Sequence, residues 1–217
     1  MKPPTECRWS FPQQNDWDPD DDVVAIGADL EPDTLLFAYS HAMFPMFLDR
    51  RHTQLGWWSP VMRGVIPLDG LRVSRSMKQS AKKFHCTINT AFAEVMQACA
   101  TTHQQGNWID DKFIEAYTTL HTLGHAHSVE VWNDDNLLVG GLYGVRINGF
   151  FAGESMFHRA TDASKVALMF LVDLMNLAGM ELLDTQWQTE HLETLGCCAI
   201  PRATYCELLR HAVTPKD

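Results

Sequence analysis

The chain has 217 residues, 46% of them hydrophobic and 20% charged. That is enough for one sizeable domain or for a medium domain plus a small one, and too apolar for wholesale disorder. Its 27 acidic and 17 basic residues leave a net charge of −10, which taken whole disfavours a nucleic-acid partner. The distribution reverses that exclusion. Residues 1–49 carry two basic and ten acidic groups, and residues 84–217 carry seven and sixteen. Between them, residues 50–83 hold Arg50, Arg51, Arg63, Arg72, Arg75, Lys78, Lys82 and Lys83 against Asp69 alone, a belt of +7.

No apolar run follows the first six residues, so no signal peptide is expected. The longest apolar stretch, 166–172, is too short to span a bilayer. Six cysteines without CxxC spacing read as free thiols of a cytoplasmic protein.

Taken in order, an acidic loop at 16–22 precedes a helix opened by Pro32, which suits the first helical position, with Leu35, Leu36, Ala38 and Tyr39 along it. Residues 44–47 are predicted to end that helix and 48–56 to form a polar loop. Pro60 and Pro67 mark a junction, dividing the chain into domains 1–65 and 66–217. The spacing of Ala91, Val95 and Ala98 predicts a helix over 90–100. A second is predicted over 111–123, with Phe113, Ala116, Tyr117 and Leu120 on one face and Gly124 as its stop. Strands follow at 128–132 and 137–147, and the Asn148-Gly149 turn leads into a third over 150–157. Asp162 is predicted to cap a helix over 163–178 that is apolar nearly all round and therefore buried. A strand over 181–187, a helical turn over 188–195 and a terminal helix over 201–213 complete an α+β layered fold.

Strand alternation places Phe150, Ala152, Glu154 and Met156 on one face. A carboxylate among such neighbours is costly to bury unless compensated. Glu154 is therefore either an exposed or ion-paired structural residue, or a carboxylate that meets an amine in a pocket. Asp184 and Gln186 share a face of their strand, and an aspartate beside a glutamine can fix its amide; a structural polar pair reads equally well. Trp57, Trp58 and Trp108, with Phe44 and Phe47, lie near the basic belt. Aromatic faces beside Arg and Lys suit stacking on exposed bases, while core packing is the commoner fate of a Trp pair. His121, His125 and His127 have ligand-like spacing, but Gly124 breaks the helix between them and no metal is expected. Cys197-Cys198 has no activating pattern nearby. The glycine-rich 140–144 segment sits inside a strand, not in a phosphate-cradling turn.

The chain resembles the bacterial leucyl/phenylalanyl-tRNA–protein transferase family from about residue 11 to residue 205. The matching blocks, in order, are Phe11-Pro12, Ala28-Asp29-Leu30, Met43-Phe44-Pro45, Trp57-Trp58-Ser59-Pro60, Ser74-Arg75-Ser76-Met77-Lys78 and Trp108-Ile109. They continue through the run from Gly124 to Trp132, Val139-Gly140-Gly141, Gly153-Glu154-Ser155-Met156-Phe157, Ala163-Ser164-Lys165, Asp184 with Gln186, and Ile200-Pro201-Arg202.

The resemblance implies a small N-terminal α+β domain followed by a mixed-sheet domain like the GNAT acyltransferases. It implies transfer of Leu or Phe, less well Met, from aminoacyl-tRNA to proteins beginning with Arg or Lys, marking them for degradation by the N-end rule, without cofactor, acyl-CoA or metal. Glu154, Asp184 and Gln186 become the expected reacting centre. Met46, Trp57, Trp58, Trp108, Arg75, Lys78, Lys82 and Lys83 become the expected donor-binding residues. Leu142, Phe151, Met156, Met169 and Phe170 are the expected lining of the amino-acid pocket. The chain departs from the family at Met46, where a Trp is usual, at Ala28, at Asp110-Asp111 and in the longer, more basic 48–56 loop. Two alternatives are an acyl-CoA-dependent N-acetyltransferase, disfavoured by the acidic residue opening the 163–178 helix where pyrophosphate would sit, and a non-catalytic tRNA- or degron-binding module.

Overall fold

Residues 7–49, 51–102 and 109–215 are described by the structure, a computed structural model. The first part of the chain forms β1 (Val23–Ile26), α1 (Pro32–Ser40), β2 (Phe44–Phe47) and β3 (Leu55–Trp58). The strands make an antiparallel sheet in the order β1-β3-β2. Residues 44–47, expected to end the helix, are thus a strand. The helix stops earlier, at Ser40, and Ala42 with a φ of 69° turns the chain back on itself.

The remainder forms β4 (Met62–Ile66), α2 (Arg75–Ser80), β5 (His85–Ile88), α3 (Phe92–Thr102), α4 (Asp111–Thr122) and β6 (Ala126–Trp132). It continues with β7 (Leu138–Ile147), β8 (Phe150–His158), α5 (Ala163–Leu177), β9 (Leu182–Gln186), α6 (Glu190–Thr194), β10 (Cys198–Pro201) and α7 (Arg202–Ala212). The seven strands form one mixed sheet in the order β10-β4-β9-β8-β7-β6-β5. Among the described residues only the β8–β9 pair is parallel, and α5 supplies the crossover a parallel pair requires. The expected α+β architecture is met. Strands β1, β3, β4, β5 and β10 and helix α2 were not predicted, and β3 takes Leu55 and Gly56 out of the expected 48–56 loop. β4 spans the expected 65/66 division and pairs wholly within the larger sheet, so the change of sheet falls between Trp58 and Met62.

Helices α3, α4 and α7 cover one face of this sheet with Val95, Phe113, Tyr117 and Leu209; α5 covers the other with Ala163, Val166 and Leu171. Gly140 lets α5 come this close, since a Cβ there would lie 2.5 Å from Ala163 Cβ. The expectation that α5 is buried all round is corrected: Leu177 and Asp173 on its outer side are exposed. Asp162 precedes α5 in the left-handed region (φ 64°) and makes no side-chain cap. Its carboxylate instead accepts from Lys165 Nζ at 2.9 Å and Ser80 Oγ at 3.1 Å, tying α2 to α5.

Two bulges shape the centre of the sheet. Between β7 and β8, Tyr143 faces Ser155 and Gly144 faces Gly153, leaving Glu154 as the extra residue. Between β4 and β9, Val65 faces Asp184 and Gly64 faces Gln186, leaving Thr185 as the extra residue. A bulge bends its strand and re-aims the side chains around it. The predicted alternation therefore fails beyond Ala152: Phe150 and Ala152 pack on the α3–α4 side, whereas Met156 packs on the α5 side. The parallel ladder runs from Phe150–Leu182 to Ala152–Asp184, and both bulges lie just past its last pair.

Candidate active site

Glu154 projects from its bulge toward two phenols. Tyr39 of α1 donates to Oε1 at 2.7 Å, Tyr117 of α4 donates to Oε2 at 3.3 Å, and the two hydroxyls also bond each other. Both tyrosines lie on the buried faces of their helices, where a phenol needs a polar partner. Three hydrogen bonds among two hydroxyls and one carboxyl need three protons, and two phenols supply only two. A protonated Glu154 completes the ring, its carboxyl then donating to Tyr117 Oη, Tyr117 donating to Tyr39 and Tyr39 to Oε1. Burial pushes Glu154 up to about 8, outweighing the two tyrosine hydrogen bonds that lower it. Burial likewise holds Tyr39 and Tyr117 well above the usual phenol range.

Gln186 ends β9 with φ 59° and donates from Nε2 to Glu154 Oε1 at 3.3 Å. Asp184, fully buried, does not hold the glutamine amide as expected: its Oδ1 accepts the backbone N–H of Gln186 at 2.9 Å. The same carboxylate takes Arg63 through Nε at 2.8 Å and Nη2 at 2.6 Å, and Tyr205 Oη of α7 at 2.9 Å. Burial disfavours the Arg63 cation, but the Asp184 carboxylate outweighs it and raises the guanidinium pKa. Arg63 is 1% exposed, so it leaves the basic belt to which the charge count assigned it.

Two cavities meet at Glu154 and Gln186. One, of about 300 Å³, is lined by Leu142, Met156, Leu168, Leu171 and Leu183. The other, of about 230 Å³, is walled by Phe44, Pro45, Met46 and Trp187. Of the residues expected to line an amino-acid pocket, Leu142 and Met156 line the first cavity. Phe151 is buried in the α5-side core away from the cavity, and Met169 and Phe170 pack against that core from the sector of α5 next to the one formed by Leu168 and Leu171.

The expected stacking residues separate as well. Met46 stands in the second cavity wall. Trp58 is half-buried and donates to Met46 O at 3.0 Å. Trp57 is fully buried, donates to Gly27 O at 2.9 Å and offers no base a face. Trp108 lies outside the described residues, as does Arg50 of the belt. Arg75 and Lys78 on α2, and Lys82 and Lys83 on the helical turn Ala81–Lys83, are exposed. Among the described residues no group of three or more His, Cys, Asp or Glu forms a metal-binding cluster; His121 Nδ1 lies 2.9 Å from Ala126 O, its ring stacked on Phe92.

Sequence reasoning missed Tyr39, Arg63, Tyr117, Trp187 and Tyr205 as site residues. Tyr117 was legible as a phenol on an apolar helix face, and Arg63 as a cation beside the apolar run Gly64–Ile66.

Comparison with known proteins decides the family. The model of the leucyl/phenylalanyl-tRNA–protein transferase matches residues 65–210, and that of its N-terminal domain matches residues 28–61. The leucyl/phenylalanyl-tRNA–protein transferase of Pseudoalteromonas atlantica is 47% identical over 195 residues, 88% of this chain and 82% of that protein. The chain belongs to the leucyl/phenylalanyl-tRNA–protein transferase family. The relative from Escherichia coli O1:K1 is 44% identical over 189 residues, 86% of this chain and 80% of that one. Among solved structures, L-PGS from Bacillus licheniformis is similar with a TM-score of 0.43 and 9% identity, covering 71% of this chain and 65% of that one. A likeness at that level carries no argument about the transferase site.

Proposed function

We propose that the junction of the two cavities is where this aminoacyltransferase joins its donor and acceptor. Transfer of leucine or phenylalanine from aminoacyl-tRNA to protein is the reaction of the family to which the chain belongs. The observation that carries the placement is the convergence of Glu154 and Gln186 on an apolar cavity on one side and an aromatic one on the other. The leucyl or phenylalanyl side chain fits the Leu142–Met156–Leu168 cavity, where Met adapts to a branched or a ring-shaped guest. The terminal adenosine fits the Phe44–Met46–Trp187 cavity, with Met46 offering less π surface than a Trp. Glu154 meets the donor's α-amino group.

In the reaction the acceptor's neutral α-amine attacks the ester carbonyl carbon. The C–N bond forms, the C–O bond to the terminal ribose breaks, and the amine proton leaves to the ribose oxygen or to water. Holding amine and ester in line supplies much of the acceleration. Gln186 serves as an orienting or oxyanion-stabilising amide, since a carboxamide accepts no proton near neutral pH. No cofactor is required. The acidic regions on either side of the belt favour an acceptor beginning with Arg or Lys. The six cysteines, all free, fit the cytoplasm, and no helix among the described residues is long and apolar enough to cross a membrane. An acyl-CoA donor is disfavoured by Asp162, which sets a carboxylate at the start of α5.

The test is transfer of labelled leucine from Leu-tRNA to peptides differing in their first residue. Incorporation into Arg- and Lys-starting peptides but not Ala- or Glu-starting ones is expected. Equal labelling of all four would refute the acceptor reading, and no labelling from either Leu-tRNA or Phe-tRNA would reduce the chain to a binding module. The belt is tested separately. Replacing Lys82 and Lys83 by Ala should weaken tRNA binding and flatten its log–log salt dependence by about 1.5, roughly 0.7–0.9 for each phosphate no longer neutralised. An unchanged slope would place the phosphates elsewhere.

A further inference from the structure

We propose that Arg63 is a positioning residue for transfer, and that the Asp184 carboxylate it holds acts on the backbone of Gln186 and not as a proton acceptor. The inference rests on the placement of Gln186 at the reacting centre.

Four donors surround Asp184. Oδ1 accepts from Arg63 Nε and the Gln186 N–H; Oδ2 accepts from Arg63 Nη2 and Tyr205 Oη. A carboxylate has about four lone-pair sites, so none is left facing the cavity to receive an amine proton. What Asp184 does hold is the peptide N–H of a residue in the left-handed region, which non-glycine residues adopt only when their surroundings impose it. The Gln186 amide itself points to Glu154.

Arg63 extends the clamp to the other cavity wall. Its Nη1 donates to Ala42 O at 3.2 Å, at the left-handed turn that starts β2. Its guanidinium lies 4.7 Å from the ring centre of Phe44 and 4.4 Å from that of Tyr205. Phe44 lines the 230 Å³ cavity together with Gln186. One planar cation thus sets the aromatic wall and the glutamine in register, using the fork geometry that a lysine lacks.

The experiment compares full-length Arg63→Gln, Asp184→Asn, the double variant and Gln186→Ala, with thermal melts as the folding control. Single-turnover transfer of leucine to an Arg-starting peptide is measured across pH. Each single variant is expected to lose about 100-fold in rate at saturating Leu-tRNA, the order that a small misplacement costs, with KM for the donor little changed. The double variant should lose no more than the worse single one, and Asp184→Asn should keep the shape of the wild-type pH profile. If Arg63→Gln does not fold, the double variant, which leaves no unpaired buried charge, carries the rate comparison. Multiplicative losses, a pH limb removed by Asp184→Asn, or wild-type rate in folded Arg63→Gln or in the double variant would each overturn the proposal. A slow Gln186→Ala beside a fast Arg63→Gln removes this inference alone; a wild-type rate in Gln186→Ala removes the placement of Gln186 as well.

Discussion

Glu154→Gln is expected to slow single-turnover transfer of leucine by about 100-fold, because an amide cannot exchange the proton through which the Glu154 carboxyl is proposed to meet the donor amine. The same substitution should change the pH dependence of folding, and the sign follows from proton counting. In the unfolded chain this carboxyl titrates near its ordinary value of 4.5; in the folded protein burial holds it at about 8. Between those values the folded state keeps a proton that the unfolded state has lost. Stability therefore falls as pH rises through the window, by about 1.4 kcal/mol per unit. Below the window both states are protonated and the term vanishes. The Gln variant lacks it. Urea melts at pH 5, 6.5 and 8 should show its stability gaining steadily on the wild type, and a pH-independent difference would contradict a protonated Glu154.

The second large effect is expected at Gly64, next to Arg63 and opposite Gln186 in the β4–β9 pair. A Cβ there would lie 2.6 Å from the Trp187 carbonyl carbon, 2.7 Å from Gln188 N and 2.9 Å from Thr185 Oγ1. Two of these are backbone atoms of the segment that leaves Gln186, so a rotamer change cannot relieve the clash. Gly64→Ala should cost about 2 kcal/mol in a urea melt, the usual scale of overpacking. It should also slow transfer by about 100-fold, because the bulge carrying Gln186 must move. Normal stability and rate in this variant would show that the bulge yields without displacing the glutamine.

What could be read in the sequence and what could not divide along physical lines. The long helices and the β7–β8 hairpin were legible because their signals are local: Phe113, Ala116, Tyr117 and Leu120 repeat at helical spacing, and Asn148 takes the positive φ its turn requires. Short strands such as β4 and β10 carry too few residues to show a period and form only because the sheet supplies their partners. Glu154, Asp184 and Gln186 were singled out by strand placement and by resemblance, and the structure brings them within one network. Their relation was misread because alternation cannot see a bulge. A charge count cannot see burial, so Arg63 was added to the belt although its partner lies on a strand far along the chain. Trp57 shows the same limit, since composition does not tell a stacking face from a core.

The Arg63 clamp also bears on how the enzyme is made. Its parts are Ala42 and Arg63 from the early chain and Asp184 and Tyr205 from the last stretch. A chain emerging during synthesis exposes the basic segment at 75–83 long before the terminal helix can deliver Tyr205. Until then Asp184 holds Arg63 and the Gln186 N–H without its fourth donor. A product that stops short of α7 would keep every proposed reacting-centre side chain while lacking the Tyr205 phenol that donates to Asp184. Packing of the last helix is thus the step that supplies the fourth donor to Asp184.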